Sequence, residues 1–400
     1  MKKSIFLGII ALAAMSMTSC SNDEVTLAYP QDDAIEFGTY LGRDVLTRGV
    51  VLDNNNLVNF GVFASYTGET DWASTDGYNF MYNQIVEKSG SDWVYSPKKY
   101  WPTNQGDKIS FFAYAPYETG ATAPNNGITV VSAKTATDAP VINYNIAADN
   151  LENQADFVAD VLMNQVKEGS TGSSIDSGDR LVSFQLLHEL TRLGFTAKLD
   201  RDAYAVGNEA NQTVVNIKSI TFLPADEFCT SANYTFATEN DDDSTTPVTL
   251  KRGTWNDFTG AGELNIAKLL NVATFNLAGY TTPGILVPDT NPVTLFKKNA
   301  TPAQEYLFLI PRGEAGISAD GKVKIAVAYD IVTVDPSLAA GHSVTPATKI
   351  IEFPAGSLKQ GVAYMFNLTF GLNEIKLEAT VVDWAEENIN GNVDWPKVDA

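Results

Sequence analysis

Two histidines, His188 and His342, and two cysteines, Cys20 and Cys229, are all the imidazole and thiol in this 400-residue chain. They are too few for a zinc or iron–sulfur site, which draws on three or four such ligands. A serine nucleophile needs a neighbouring imidazole, and no G-x-S-x-G elbow occurs. His188 stands in Leu186-Leu187-His188-Glu189-Leu190, an apolar setting that reads as a core residue donating one hydrogen bond. Asp53-Asn54-Asn55 opens like a calcium loop, but Val58 sits where the loop needs glycine and Ala64 where it needs glutamate. The run Glu239-Asn240-Asp241-Asp242-Asp243 reads as a solvated loop, because adjacent carboxylates repel and no glycine shapes a turn around a cation. Carboxylate pairs for glycoside hydrolysis stay open, since Asp and Glu number 48 and their separations are invisible in sequence. No catalytic residue, cofactor or metal is expected, and the chain is not read as an enzyme.

Tryptophan repeatedly follows aspartate, at Trp72, Trp93, Trp384 and Trp395. Such rings can stack on sugars, which keeps a monomeric glycan-binding surface protein as an alternative resting on Trp72 or Trp255. Aromatics near strand ends more often close a sandwich core. The formal charge of −21 disfavours nucleic acid and anionic membrane surfaces as partners.

The elements that must position these residues are strands. Apolar and polar residues alternate over 57–63, 108–114, 214–220, 322–329 and 364–370, the period-two pattern of half-buried β-structure. Turn formers separate them, as in Asp53-Asn54-Asn55-Asn56 and Pro124-Asn125-Asn126-Gly127. Only residues 263–271 have a modest claim to a helix. The fold class is all-β, and many short strands at this spacing suggest two antiparallel β-sandwiches in series. The polar stretch 201–212 is the expected boundary, giving an N-terminal domain over 49–205 and a C-terminal domain over 206–400. The Gly/Ser/Asp-rich segment 169–179 is expected as a loop within the first domain.

Lys2 and Lys3, followed by the apolar run 5–14, form a signal peptide over 1–19 that is too short to span a bilayer. Met17-Thr18-Ser19-Cys20 resembles a lipobox, with Met17 where leucine is usual, so Cys20 is the expected acylated N-terminus of an exported lipoprotein. Cys229 is then left without an intramolecular partner and reads as a small buried residue.

Several segments stand in order along the chain: Ala34-Ile35-Glu36-Phe37-Gly38-Thr39-Tyr40, then Thr47-Arg48-Gly49, then Asn59-Phe60-Gly61-Val62-Phe63-Ala64. Trp93-Val94-Tyr95-Ser96-Pro97-Lys98-Lys99-Tyr100-Trp101-Pro102 and Ile109-Ser110-Phe111-Phe112-Ala113-Tyr114-Ala115-Pro116 follow, and then Phe184 to His188 and Val381-Val382-Asp383-Trp384. Together they resemble the fimbrillin family, also called type V or minor-fimbrillin-like pilins, lipoproteins of Gram-negative anaerobes. Residues 93–102 resemble the family's Y-x-P-x-x-Y-W-P segment, 184–188 its phenylalanine-to-histidine strand signature, and 381–384 its closing strand.

The resemblance implies two tandem transthyretin-like sandwiches and a structural subunit of an adhesive surface fimbria. The precursor would sit in the outer membrane, held there only by the lipid on Cys20. An arginine-specific protease would cut after Arg48, leaving Gly49 as the new N-terminus, with Arg43 the competing site. The cut releases 20–48, with the anchor and a removable strand carrying Ile35, Phe37 and Leu41. An emptied strand position leaves unpaired backbone groups and an apolar groove, which a neighbouring subunit's strand can fill. The expected donor is the C-terminal tail, with Ile389, Val393, Trp395 and Val398 as its anchors. Residues 375–384 either join it or form the last strand of their own domain. Expected partners are other pilin subunits, the protease, and a host or bacterial surface receptor. An anchor or tip role in the same fimbria is the variant.

Overall fold

The structure is a computed structural model describing residues 34–41, 52, 56–104, 106–119, 127–146, 151, 154–167, 181–200, 213–223, 229–241, 249–260, 262–288, 291–297, 306–312, 321–354, 357–371 and 375–382. Its strands begin with β1 (Glu36–Leu41), β2 (Asn59–Gly68), β3 (Met81–Ser89), β4 (Asp92–Val94), β5 (Lys108–Ala115), β6 (Ile128–Val130), β7 (Val141–Asn145) and β8 (Val158–Val166). Next come β9 (Leu181–His188), β10 (Thr191–Leu199), β11 (Thr213–Phe222), β12 (Ser231–Thr235), β13 (Thr254–Thr259), β14 (Leu264–Asn265) and β15 (Ala273–Leu277). The last are β16 (Tyr280–Val287), β17 (Val293–Thr294), β18 (Leu307–Leu309), β19 (Lys322–Val334), β20 (His342–Pro354), β21 (Ala363–Phe370) and β22 (Ile375–Val382). The alternating runs of the sequence became β2, β5, β11, β19 and β21, so the all-β expectation holds.

The modest helix at 263–271 is corrected. Leu264-Asn265 form β14 against β11, and only a single 3-10 turn, Ala267–Leu269, follows. Leu264 and Ile266 are two residues apart and both fully buried, and the Ile266 amide donates to the Ile220 carbonyl at 3.0 Å, a ladder bond. Period two therefore wins over the helical spacing.

Four sheets result. The first runs β1-β9-β8-β5-β2-β3-β4, the second β17-β10-β21-β22 with β18 also on β10, the third β15-β16-β11-β19-β20 with β14 also on β11, and the fourth β13-β12-β7-β6. Sheet membership changes between β9 and β10, upstream of the polar stretch 201–212, because β10 pairs in parallel with β21 over eight residues. The fourth sheet also joins strands from either side of that stretch, β7 with β12. Hydrogen bonding thus ties together segments that the 205/206 division separates.

The seven-stranded sheet is covered on both faces. From β2, Phe60, Val62 and Ala64 enter one core while Phe63 enters the other, and in β5 Ile109, Phe111, Ala113 and Ala115 part from Phe112 and Tyr114 in the same way. Both strands are consequently buried almost throughout. The smaller of these two cores takes Ile35, just ahead of β1, and Phe37 and Leu41 from β1, and the larger runs through the remaining sheets.

Candidate functional site: the slot filled by β1

Alternation makes β1 a strand: Ile35, Phe37 and Leu41 are buried while Glu36 between the first two is exposed. It lies at the end of its sheet, parallel to β9, in a register running from Glu36 opposite Leu181 to Leu41 opposite Leu186. Just ahead of β1 the chain is held on the other side as well. The Ile35 amide donates to the Lys99 carbonyl at 2.9 Å, and Ala34 bridges to Tyr100, just beyond β4. The segment that follows β4 therefore meets the chain where it enters β1.

Aromatic side chains line the slot. Phe37 stacks on Phe184 at 6.0 Å, meets the edges of Phe60 at 6.1 Å and Phe111 at 6.2 Å, and tilts against Tyr95 at 5.1 Å. The Tyr95 hydroxyl donates to the Ile35 carbonyl at 2.9 Å and accepts the Lys99 amide at 3.2 Å, so one side chain stitches β1 to the wall. Burial pushes that phenol up to about 12. The ammonium of Lys98 sits 4.5 Å from the Tyr95 ring centre, closing the outer side.

What β1 supports is β9. With β8, β9 shares only the pairs His188 opposite Val158 and Leu187 opposite Ala159. Farther along, the Asp160 carboxylate substitutes for a strand by taking the Gln185 amide at 2.7 Å, while its other oxygen takes the Val161 amide at 2.7 Å. Backbone groups alternate sides along a strand, so the amides of Val182, Phe184 and Leu186 point the opposite way from Gln185, toward β1. Burial, with further repulsion from Asp241 and Glu189, pushes the Asp160 carboxyl well above the usual range against the pull of those two amides.

At the end of β9, buried His188 faces Asp156, with Nδ1 2.7 Å from Oδ2. The same carboxylate accepts the Leu52 amide at 3.1 Å and, through its other oxygen, the Phe157 amide at 2.9 Å. The histidine expected as a core residue is that, and its partner is a fully buried carboxylate. Leu52, packed against the same small core as β1, is thereby pinned downstream of residue 48.

Of the residues singled out in the sequence, Ile35, Phe37 and Leu41 lie together in the slot. Cys20, Arg43, Arg48, Gly49, Ile389, Val393, Trp395 and Val398 lie outside the described residues. Residues 375–382 form β22, paired with β21 along its whole length. Cys229 is a buried free thiol pushed up to about 11 by burial. Trp72 packs on Phe112, and Trp255 on Tyr144, Phe157 and Tyr234 with its indole N–H donating to the Glu189 carbonyl at 2.9 Å. Among the described residues no group of three or more His, Cys, Asp or Glu side chains is placed to hold a metal ion. Sequence reasoning missed β9 as the partner of β1, and with it Asp160. Tyr95 was visible only as a letter in a motif, although an aromatic three residues before Lys98-Lys99 was the available signal.

A sequence model of the fimbrillin-like family matches residues 47–384. The chain belongs to that family. This fimbrillin-like chain is 26% identical over 397 residues to fimbrium subunit Fim1C of Phocaeicola vulgatus, covering 95% of this chain and 96% of that one. A crystal structure of a fimbrial protein from Bacteroides vulgatus aligns with a TM-score of 0.68 and 25% identity over 88% of this chain and 99% of the other. The family match leaves out β1 at one end and residues 385–400 at the other.

Proposed function

We infer that this fimbrillin-like chain is a structural subunit of a cell-surface adhesive fimbria and polymerises by strand exchange. It is exported as a lipoprotein acylated on Cys20 and then cut after Arg48. The cut frees β1 and the anchor, and the C-terminal tail of a neighbouring copy fills the vacated slot. One observation carries most weight: β1 ends a sheet whose next strand, β9, has two ladder pairs on its far side and six on the side of β1. A chain that lost β1 without replacing it would expose the ring surfaces of Phe60, Phe111 and Phe184 and leave the inner amides of β9 without acceptors, each an unfavourable loss.

The family match fits this account, since the two segments that would change places flank the matched region. Head-to-tail donation does not close on itself, so it produces a filament. Pinning of Leu52 by Asp156 offers a fixed point downstream of the cut, which keeps the rest of the sheet in place as β1 departs. The decisive experiment is Arg48→Ala in the full-length chain on cells, read by intact mass, N-terminal sequencing and electron microscopy of sheared material. The native protein is expected to begin at Gly49 and form fibres, and the variant to keep its lipid and form none. Fibres built from uncut Arg48→Ala subunits overturn the mechanism.

A further inference from the structure

The slot dictates what can refill it. Two inward positions separated by one outward position hold Ile35 and Phe37 with Glu36 between them, so the code is branched aliphatic, acid, aromatic. The outward residue faces solvent beside Leu181, and the aromatic enters a box of four rings. The same triplet occurs three more times, as Ile351-Glu352-Phe353, Val382-Asp383-Trp384 and Val393-Asp394-Trp395. The first is committed to β20, where Ile351 and Phe353 are buried and paired with β19. The second opens with Val382, which makes the last register pair of β22 with Ala363. The third lies outside the described residues, after the last strand among them.

We propose that Val393-Asp394-Trp395 of one copy takes the positions of Ile35-Glu36-Phe37 in the next, which fixes the register of strand exchange. Val393 lies beside Lys99, Asp394 opposite Leu181, and Trp395 in the box of Phe60, Tyr95, Phe111 and Phe184. The incoming strand runs parallel to β9, as β1 does. Pro396 then falls opposite Ser183, where Gly38 stands, and has no N–H to give to β9. The replacement ladder is shorter than that of β1, and the Trp395 plug carries more of the hold. The indole is bulkier than the ring it displaces, and Tyr95, the wall nearest to Phe37, is the side chain that must yield.

This inference rests on the strand-exchange reading, and the test separates the two. Full-length chains carrying Leu181→Cys with either Asp394→Cys or Asn392→Cys are expressed on cells, and sheared fibres are run on non-reducing gels. Paired positions on neighbouring strands lie close enough for a disulfide, and positions two residues out of step do not. Leu181→Cys with Glu36→Cys in uncut precursor is the positive control and is expected to cross-link within one chain. A reducible ladder of multimers is expected from the Asp394→Cys pair and not from the Asn392→Cys pair. Trp395→Ala is expected to lower fibre yield about tenfold or more, with Trp395→Phe restoring it, as for an anchor in a ring-lined pocket. A ladder from Asn392→Cys alone, or none from either pair in fibres whose subunits begin at Gly49, overturns the register and leaves strand exchange standing. Fibre subunits that retain residues 34–41 overturn strand exchange itself.

Discussion

Phe37→Ala in the uncut chain should release β1 without any protease. Ile35, Phe37 and Leu41 contribute about 7 kcal/mol gross, at ~1.5–3 kcal/mol per buried apolar side chain. The ladder to β9 and the Lys99 bond add about 5 kcal/mol at ~1 kcal/mol each. Fixing the backbone from Ile35 through Leu41 costs about 9 kcal/mol at ~1–2 kcal/mol per residue. The strand is held by about 3 kcal/mol on these terms, and truncating a core phenylalanine removes about 3–5 kcal/mol. Hydrogen exchange measured residue by residue reads the result. The amides of Val182, Phe184 and Leu186 should lose about a hundred-fold in protection, at ~1.4 kcal/mol per factor of ten. The Gln185 amide, held by Asp160, should lose far less. Equal loss across all four amides would mean that β9 unravels as a unit, and unchanged protection would mean that β1 does not hold it; either result refutes the stated pairing.

Tyr95→Phe keeps the ring and deletes the hydroxyl donor to Ile35, so β1 should loosen by ~0.5–1.5 kcal/mol, seen as faster proteolysis ahead of residue 48 with the melting midpoint of the rest unchanged. Asp160→Asn keeps an acceptor for the Gln185 amide and removes a charge. Because the folded-state pKa is raised above the unfolded one, ionisation opposes folding, and stability should fall as pH rises from about 4 through the raised value. The variant also sets an NH2 group against the Val161 amide, so the slope is the diagnostic: it should flatten, and thermal scans that keep the native slope would contradict the account.

Strand content was legible from local patterns. Alternation in 57–63 or 364–370 depends on neighbours two residues apart, which a linear reading sees. Ile35, Phe37 and Leu41 could be named as one inward face for the same reason. Their partner could not. Parallel pairing of β1 with β9 joins residues about 145 positions apart, a separation read from Glu36 opposite Leu181, and nothing local in 181–186 says which edge it presents. The helix expectation at 263–271 failed because tertiary pairing of Leu264 with Phe222 decided between two periods that a short apolar segment satisfies equally.

By itself the sequence determined the alternation, the scarcity of histidine and cysteine, and the recurrence of one aliphatic–acid–aromatic triplet. Only the tertiary structure decided that the first of those triplets lies at the end of a sheet, that four aromatic rings from distant strands converge on Phe37, and that Asp160 takes the Gln185 amide where β8 no longer pairs with β9. The physical reason is that a side chain's face is set by its own backbone, whereas a hydrogen-bond partner across a sheet is set by every strand that must be buried at once.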